Sequence, residues 1–299
     1  KLIKDTIESS KEYDIIVFPE LSITGYPPQD LLSNPSFIEK TSKVLKSIVK
    51  IIGKQVVVIG YPRKKGEFLF NSAAIINDGE ILGYHDKMLL PTYDVFDENR
   101  YFKQGASADP IKVEINGKPL SLGVQICEDL WDDSYDLKIT DTLIEKGAEM
   151  IINISASPYR KNIIDKRLKL CKDRSLYLKY YFIYCNLVGG QDELVFDGRS
   201  FILNSDGNLE CMGAAFKENK VNFDRNEPNS HYDKNNIDQE EELFMALSLG
   251  VKDYFKKSNF SKAVIGLSGG IDSSLTASIA ADAIGANNVI GISMPSIFS

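Results

Sequence analysis

The sequence predicts an α/β fold in two parts, on three observations: short apolar runs bounded by polar residues, helical stretches between them, and a long polar break late in the chain. The opening residues from Lys1 are helix-like, and IIVF at 15–18 is a buried strand closed by Pro19, which leaves Glu20 at its C-terminal edge. VVVIGY at 56–61 is a second such strand. In SAAIINDGEILGYH, Asp78-Gly79 stands between apolar stretches, the strongest short hairpin signal. LSLGVQI runs into Cys127, EMIINISASP leads to a helix over 162–179, and YYFIYCNLV follows as a strand. SFILNSDGNLECMG turns back on Asp206-Gly207.

From 217 the composition becomes polar and Asn-rich, with no apolar periodicity. This sets three parts: a first domain over 1–222, a linker over 223–242 and the start of a second domain over 243–299. The second domain opens with a helix, then the strand AVIGL, a glycine-rich turn and a further helix. Lys1 falls inside a helix-like stretch and the chain stops just after a strand, so the expectation is a fragment at both ends.

A chain of 299 residues that is 43% hydrophobic can bury a sizeable core. Its net charge of -7 gives no basic footprint for nucleic acid or an anionic membrane, which leaves small-molecule chemistry. The four cysteines form no CxxC pair or disulfide framework, and no apolar run approaches the roughly 20 residues of a membrane span. A cytoplasmic protein without a membrane anchor is expected.

The two histidines, His85 and His231, offer neither a Ser-His-Asp arrangement nor an HExxH zinc site, so no metal site is expected. Cys127 is the candidate nucleophile, because GVQICEDLW places it where a strand ends and a loop begins. A thiol with a pKa of about 8.5 needs a base or a cation beside it, and Glu20 and Lys87, also at strand ends, are the candidates. Cys171, Cys185 and Cys211 are read as small buried hydrophobes.

FPELSITGYPPQDLL, YHDKMLLPTYDVFDENRYF, GVQICEDLW and NISASPY resemble, in order, the signature blocks of the carbon-nitrogen hydrolase family, in its glutaminase branch. The resemblance implies a nitrilase-like αββα sandwich and a Glu-Lys-Cys triad. In it Cys127 attacks the glutamine amide, Glu20 is general base and then acid, and Lys87 stabilises the oxyanion. It also implies that Tyr26, Tyr93, Glu128, Trp131 and Ser157 line the glutamine pocket. Many relatives carry a basic residue six positions past the serine, where this chain has Ile163, so Arg160 or Lys161 is expected to replace it.

Farther on, Gly266, Leu267, Ser268, Gly269, Gly270, Ile271, Asp272, Ser273 and Ser274 join a strand to a helix N-terminus, where free backbone N–H groups and the helix dipole favour phosphate. This is neither a Walker A loop nor GxGxxG. SGGIDSS resembles the pyrophosphate loop of the N-type ATP pyrophosphatases, which implies the beginning of a doubly wound ATP-binding domain, with Met294 near adenine. Together the two motifs resemble the glutamine-dependent NAD synthetases. What that implies is glutamine, ATP and deamido-NAD as substrates, Mg2+ accompanying ATP, no prosthetic group, and homo-oligomers. A doubly wound domain needs more strands than this stretch holds, so the 299 residues are expected to carry at most the glutaminase activity.

Overall fold

The computed structural model describes residues 1–226 and 237–295. His231, residues 227–236 of the expected linker and residues 296–299 lie outside the described residues.

The first unit begins with α1 (Leu2–Glu8), β1 (Ile15–Val17), α2 (Pro35–Val49), β2 (Val56–Lys65), β3 (Phe68–Asn77) and β4 (Glu80–Asp86). These four strands form one sheet in the order β1-β2-β3-β4. Next come β5 (Ile111–Ile115), β6 (Lys118–Ile126), α3 (Ile139–Glu145), β7 (Met150–Ser155), α4 (Ile163–Ser175) and β8 (Phe182–Asn186). A ribbon of β9 (Val188–Gln191) and β10 (Leu194–Asp197) precedes β11 (Phe201–Leu203) and β12 (Leu209–Met212). The second sheet runs β12-β11-β8-β7-β6-β5, with β6, β7 and β8 parallel.

Alternation along each strand builds the layers. On β2, Val56 and Val58 face Val124, Ile126, Ile152 and Ile154 of the other sheet, while Val57 and Ile59 face Ile7, Leu45 and Ile48 of α1 and α2. Both faces are buried, which is why the strand reads as an unbroken apolar run. The second sheet likewise turns Ile151, Phe182 and Tyr184 toward Leu143 of α3 and Cys171 of α4. Helices, sheet, sheet and helices therefore stack as the expected αββα sandwich.

At the first hairpin Asp78 and Gly79 adopt φ of 46° and 75°, both left-handed, as a two-residue turn of this twist requires. Asp206-Gly207 differs from the expectation of a turn centred on that pair alone. It lies in a longer loop between Leu203 and Leu209, where the Asn204 side chain accepts the N–H groups of Asp206 and Asn208. Asn204 competes as a local acceptor and widens the turn.

Helix α5 (Gln239–Lys257) starts inside the polar stretch, because the Asp238 side chain caps it by accepting the Glu241 N–H at 2.7 Å. It leads to β13 (Ala263–Leu267), α6 (Ile271–Ile284) and β14 (Val289–Ser293), a β-α-β crossover with parallel strands. α5 packs on α6 and on the β9-β10 ribbon, where the Gly190 N–H donates to Asp253 at 2.7 Å. Among the described residues no helix is long and apolar enough to cross a membrane.

Candidate active site

Three strand ends bring the predicted triad together. Glu20 sits in the turn after β1, Lys87 one residue past β4, and Cys127 at the first position after β6. The Glu20 turn lies directly on β2 at Gly60, where a Cβ would stand 2.4 Å from the Leu21 nitrogen. Only glycine allows that approach. Cys127 has φ of 46°, a left-handed backbone rarely adopted by a side-chain-bearing residue.

Lys87 Nζ donates to Glu20 Oε1 at 2.8 Å and to Glu98 Oε1 at 2.7 Å. Glu20 also accepts from Asn71 Nδ2 at 2.7 Å and, through its other oxygen, from the Ala156 N–H at 2.8 Å. The Tyr26 hydroxyl donates to Glu98 at 2.8 Å. Lys87 is 1% and Glu20 0% exposed, so these charges interact with little screening by water. Burial disfavours the Lys87 ammonium, but Glu20 and then Glu98 outweigh it and hold its pKa well above the ordinary lysine value. Burial first, then Glu20, pushes the Cys127 thiol well above its ordinary range. The Cys127 thiol is therefore protonated at rest, and a base must take its proton.

Above this cluster opens a cavity of about 270 Å³ with Lys87 and Cys127 in its lining. All five predicted pocket residues, Tyr26, Tyr93, Glu128, Trp131 and Ser157, line it too. Glu20 lies beneath, wholly buried, and meets the cavity through Lys87. The Glu128 carboxylate accepts the hydroxyls of Tyr93 at 2.9 Å and Tyr135 at 3.0 Å. Burial and this carboxylate push the Tyr135 hydroxyl up to about 12. Arg160 lines the cavity, whereas exposed Lys161 does not, and Ile163 is buried at the start of α4. Cys171 and Cys211 are buried and Cys185 half-buried, away from the cavity lining.

The second predicted site is the loop between β13 and α6. Gly266 and Leu267 end the strand, and Ser268, Gly269, Gly270, Ile271, Asp272 and Ser274 are exposed. Nothing lies within 4 Å of where a Cβ of Gly269 would stand. The hydroxyls of Ser273 and Ser274 donate to the Gly270 carbonyl at 3.1 and 3.0 Å, and Ser268 Oγ accepts the Gly270 N–H at 3.3 Å. Met294, 72% exposed on the adjacent strand's end, has its methyl group beside Gly266.

Residues 1–226 match the Carbon-nitrogen hydrolase family. The chain belongs to that family. Residues 243–299 match NAD synthase. Glutamine-dependent NAD(+) synthetase of Aquifex aeolicus is 38% identical over 335 aligned positions, covering 100% of this chain and 58% of the relative. That of Synechocystis sp. is 40% identical, covering 96% of this chain and 54% of the relative. The solved glutamine-dependent NAD+ synthetase of Acinetobacter baumannii, in complex with ADP, is similar over 100% of this chain and 56% of its own, with a TM-score of 0.87 and 33% identity. The chain thus spans about half the length of the relatives it matches. A carbon-nitrogen hydrolase of Helicobacter pylori G27 shares the fold at a TM-score of 0.61 and 20% identity, over 74% of this chain and 80% of its own.

Within this carbon-nitrogen hydrolase fold, sequence reasoning missed Glu98, Asn71 and Tyr135. Glu98 lies inside the YHDKMLLPTYDVFDENRYF block, so the signal was present. Asn71 is a wholly buried amide at the edge of the apolar stretch of β3, and a polar residue in that position is itself a marker.

Proposed function

We propose that this chain carries the glutamine-hydrolysing half, and the opening of the nucleotide-binding half, of a glutamine-dependent NAD synthetase, an ATP-dependent carbon-nitrogen ligase. The observation that carries the reading is a buried Glu20-Lys87 pair beneath a cavity whose lining includes Cys127. In the proposed sequence Glu20 takes the thiol proton and Cys127 sulfur attacks the side-chain amide carbon of glutamine. The carbonyl oxygen becomes an oxyanion beside Lys87. Two of the three Lys87 N–H groups are held by carboxylates, and the third serves the oxyanion.

The carbon-nitrogen bond then breaks as Glu20 returns its proton to the departing ammonia, leaving a thioester. Water, deprotonated by Glu20, attacks that thioester, glutamate departs and the thiolate regains its proton. Glu128 and Arg160 present opposite charges in the same cavity, complementary to the α-ammonium and α-carboxylate of an amino acid. Tyr93 and Ser157 orient the substrate, and Tyr26 and Trp131 complete the walls.

In the second half the ammonia would displace AMP from adenylated deamido-NAD, with pyrophosphate released at the adenylation step. The Gly266–Ser274 loop fits ATP phosphates: it is open, it precedes the 14-residue helix α6, and its hydroxyls can swing outward. Mg2+ bound with ATP would supply charge neutralisation there, with Asp272 beside it. The reading carries a cytoplasmic setting and self-association, and light scattering tests the latter.

The first test compares release of glutamate and ammonia from glutamine by the wild-type chain and Cys127→Ala. Turnover in wild type alone supports the reading. The longer protein containing this chain then separates the halves: Cys127→Ala should lose glutamine-driven but keep ammonia-driven conversion of deamido-NAD. Absence of both in the wild type would move the assignment to an amidase acting alone.

A further inference from the structure

Asp129 has no step in that chemistry, yet it lies wholly buried beside it. Its Oδ1 accepts the backbone N–H groups of Met88 and Leu89, both at 2.9 Å, and these are the two residues after Lys87. Its Oδ2 accepts the N–H of Ile126 at 3.0 Å, the residue before Cys127. The same oxygen lies 2.8 Å from Nε2 of His85, itself buried two residues before Lys87. An ionised carboxylate only accepts, so the imidazole carries its hydrogen on Nε2. Four donors drawn from both sides of Lys87 and from the approach to Cys127 converge on one side chain.

The geometry matters because the two reactive residues leave opposite sheets. β4 belongs to one and β6 to the other, and the apolar layer between the sheets is non-directional. A charge-assisted hydrogen bond is directional and short. Through Asp129 the 85–89 segment is tied to the turn that presents Cys127.

We infer that Asp129, held in turn by His85, is a positioning residue that sets the placement of Lys87 relative to Cys127. The inference rests on the reading that these two residues act in glutamine hydrolysis. Asparagine has the same shape but not the same capacity. Its carbonyl can still accept from Met88 and Leu89, while its NH2 would meet the Ile126 N–H, donor against donor, and could pair with His85 only once the imidazole had moved its hydrogen to Nδ1.

The test uses the 299-residue chain with Asp129→Asn, His85→Phe and His85→Gln, the last retaining an N–H donor. Two rates are followed: steady-state glutamine hydrolysis, and alkylation of Cys127 by iodoacetamide measured on the Cys127 peptide. Asp129→Asn should lower kcat by about 100-fold while KM stays within about 3-fold, the signature of a displaced reacting group. His85→Phe should lower kcat about 10-fold, and His85→Gln should stay within about 3-fold of wild type. Alkylation should slow in the same order.

A folded Asp129→Asn with wild-type kcat and alkylation rate overturns the inference, as does a loss confined to KM. Should Asp129→Asn fail to fold, the histidine pair decides, and equal rates for His85→Phe and wild type overturn it. If wild type releases no ammonia from glutamine, the functional reading fails instead. The alkylation rates still test the positioning, and rates equal to wild type in Asp129→Asn and His85→Phe sink it.

Discussion

Around Lys87, two carboxylates, a tyrosine hydroxyl, an amide and a backbone N–H, all almost wholly buried, close on one another from stretches as far apart as Glu20 and Ala156. Around Gly269, six of the seven residues from Ser268 to Ser274 are exposed, and the serine hydroxyls bond to the loop that carries them. The first arrangement takes its geometry from the fold and is in place before a ligand arrives. The second takes its geometry from local backbone and stands open to solvent. Fixed charges in a low-dielectric interior are where electrostatics stabilises a transition state most, which is what breaking an amide demands. An exposed loop suits the nucleotide role proposed for it, since a highly charged ligand can reach it from solvent.

The sharpest way to break this contrast is Lys87→Met. It leaves Glu20 and Glu98 buried without their cation, so stability should fall by about 3–5 kcal/mol as measured by urea unfolding. Burial already raises the Glu98 pKa above its ordinary 4.5, against the opposing effect of Lys87, and losing that cation raises it further. A group raised in the folded state contributes stability that is present below its unfolded pKa and lost as pH climbs through the folded value. The difference between variant and wild type should therefore shrink below about pH 4.5 and widen toward neutrality. A pH-independent difference would show that the buried pair is not the source.

Glu20→Gln probes the same cluster through the thiol. Glu20 is the second cause, after burial, of the raised Cys127 pKa, and Lys87 opposes it. In wild type without substrate, alkylation of Cys127 should still be rising at the ordinary thiol value of 9.0. In Glu20→Gln the whole profile should move to lower pH, speeding alkylation at pH 7 on the order of tenfold, while glutamine turnover is lost for want of a base. Coincident profiles would deny Glu20 any influence on the thiol.

Arg160→Ala is expected to act on binding alone. Losing one charge-assisted contact should raise KM for glutamine about tenfold with kcat nearly constant. An analogue lacking the α-carboxylate, 4-aminobutanamide, should be hydrolysed equally by both enzymes. A fall in kcat for both substrates would place Arg160 elsewhere in the mechanism.

The same contrast explains what was legible in the sequence. Cys127, Lys87 and Glu20 stand where apolar runs stop, and the resemblance carried by the four ordered blocks around them, not local pattern alone, pointed to the pocket residues. Glu98 was missed because a Glu within DENRY looks like solvated loop. Only the return of that loop beneath Tyr26 shows its carboxylate against Lys87. Asp129 is likewise invisible until two sheets face each other. Other omissions were local signals passed over. Asn116-Gly117, both left-handed, turns β5 into β6, and Asp238 followed three residues later by Glu241 marks the start of α5 within an otherwise polar stretch.

The smallest expected effect comes from the exposed loop. The Ser273 hydroxyl donates to the Gly270 carbonyl at 3.1 Å, but that carbonyl also accepts from the Ser274 hydroxyl and N–H at 3.0 and 3.2 Å. Removing one of three donors at a solvent-accessible turn leaves no buried acceptor unpaired, so the desolvation cost that makes such losses large does not arise. Ser273→Ala should change unfolding free energy by less than about 0.5 kcal/mol in the same urea experiment that resolves Lys87→Met. A loss of about 1 kcal/mol or more would mean that these hydroxyls hold the turn together, as they do when serine caps a helix. The loop would then be a structural cap, and an open anion cradle would no longer describe it.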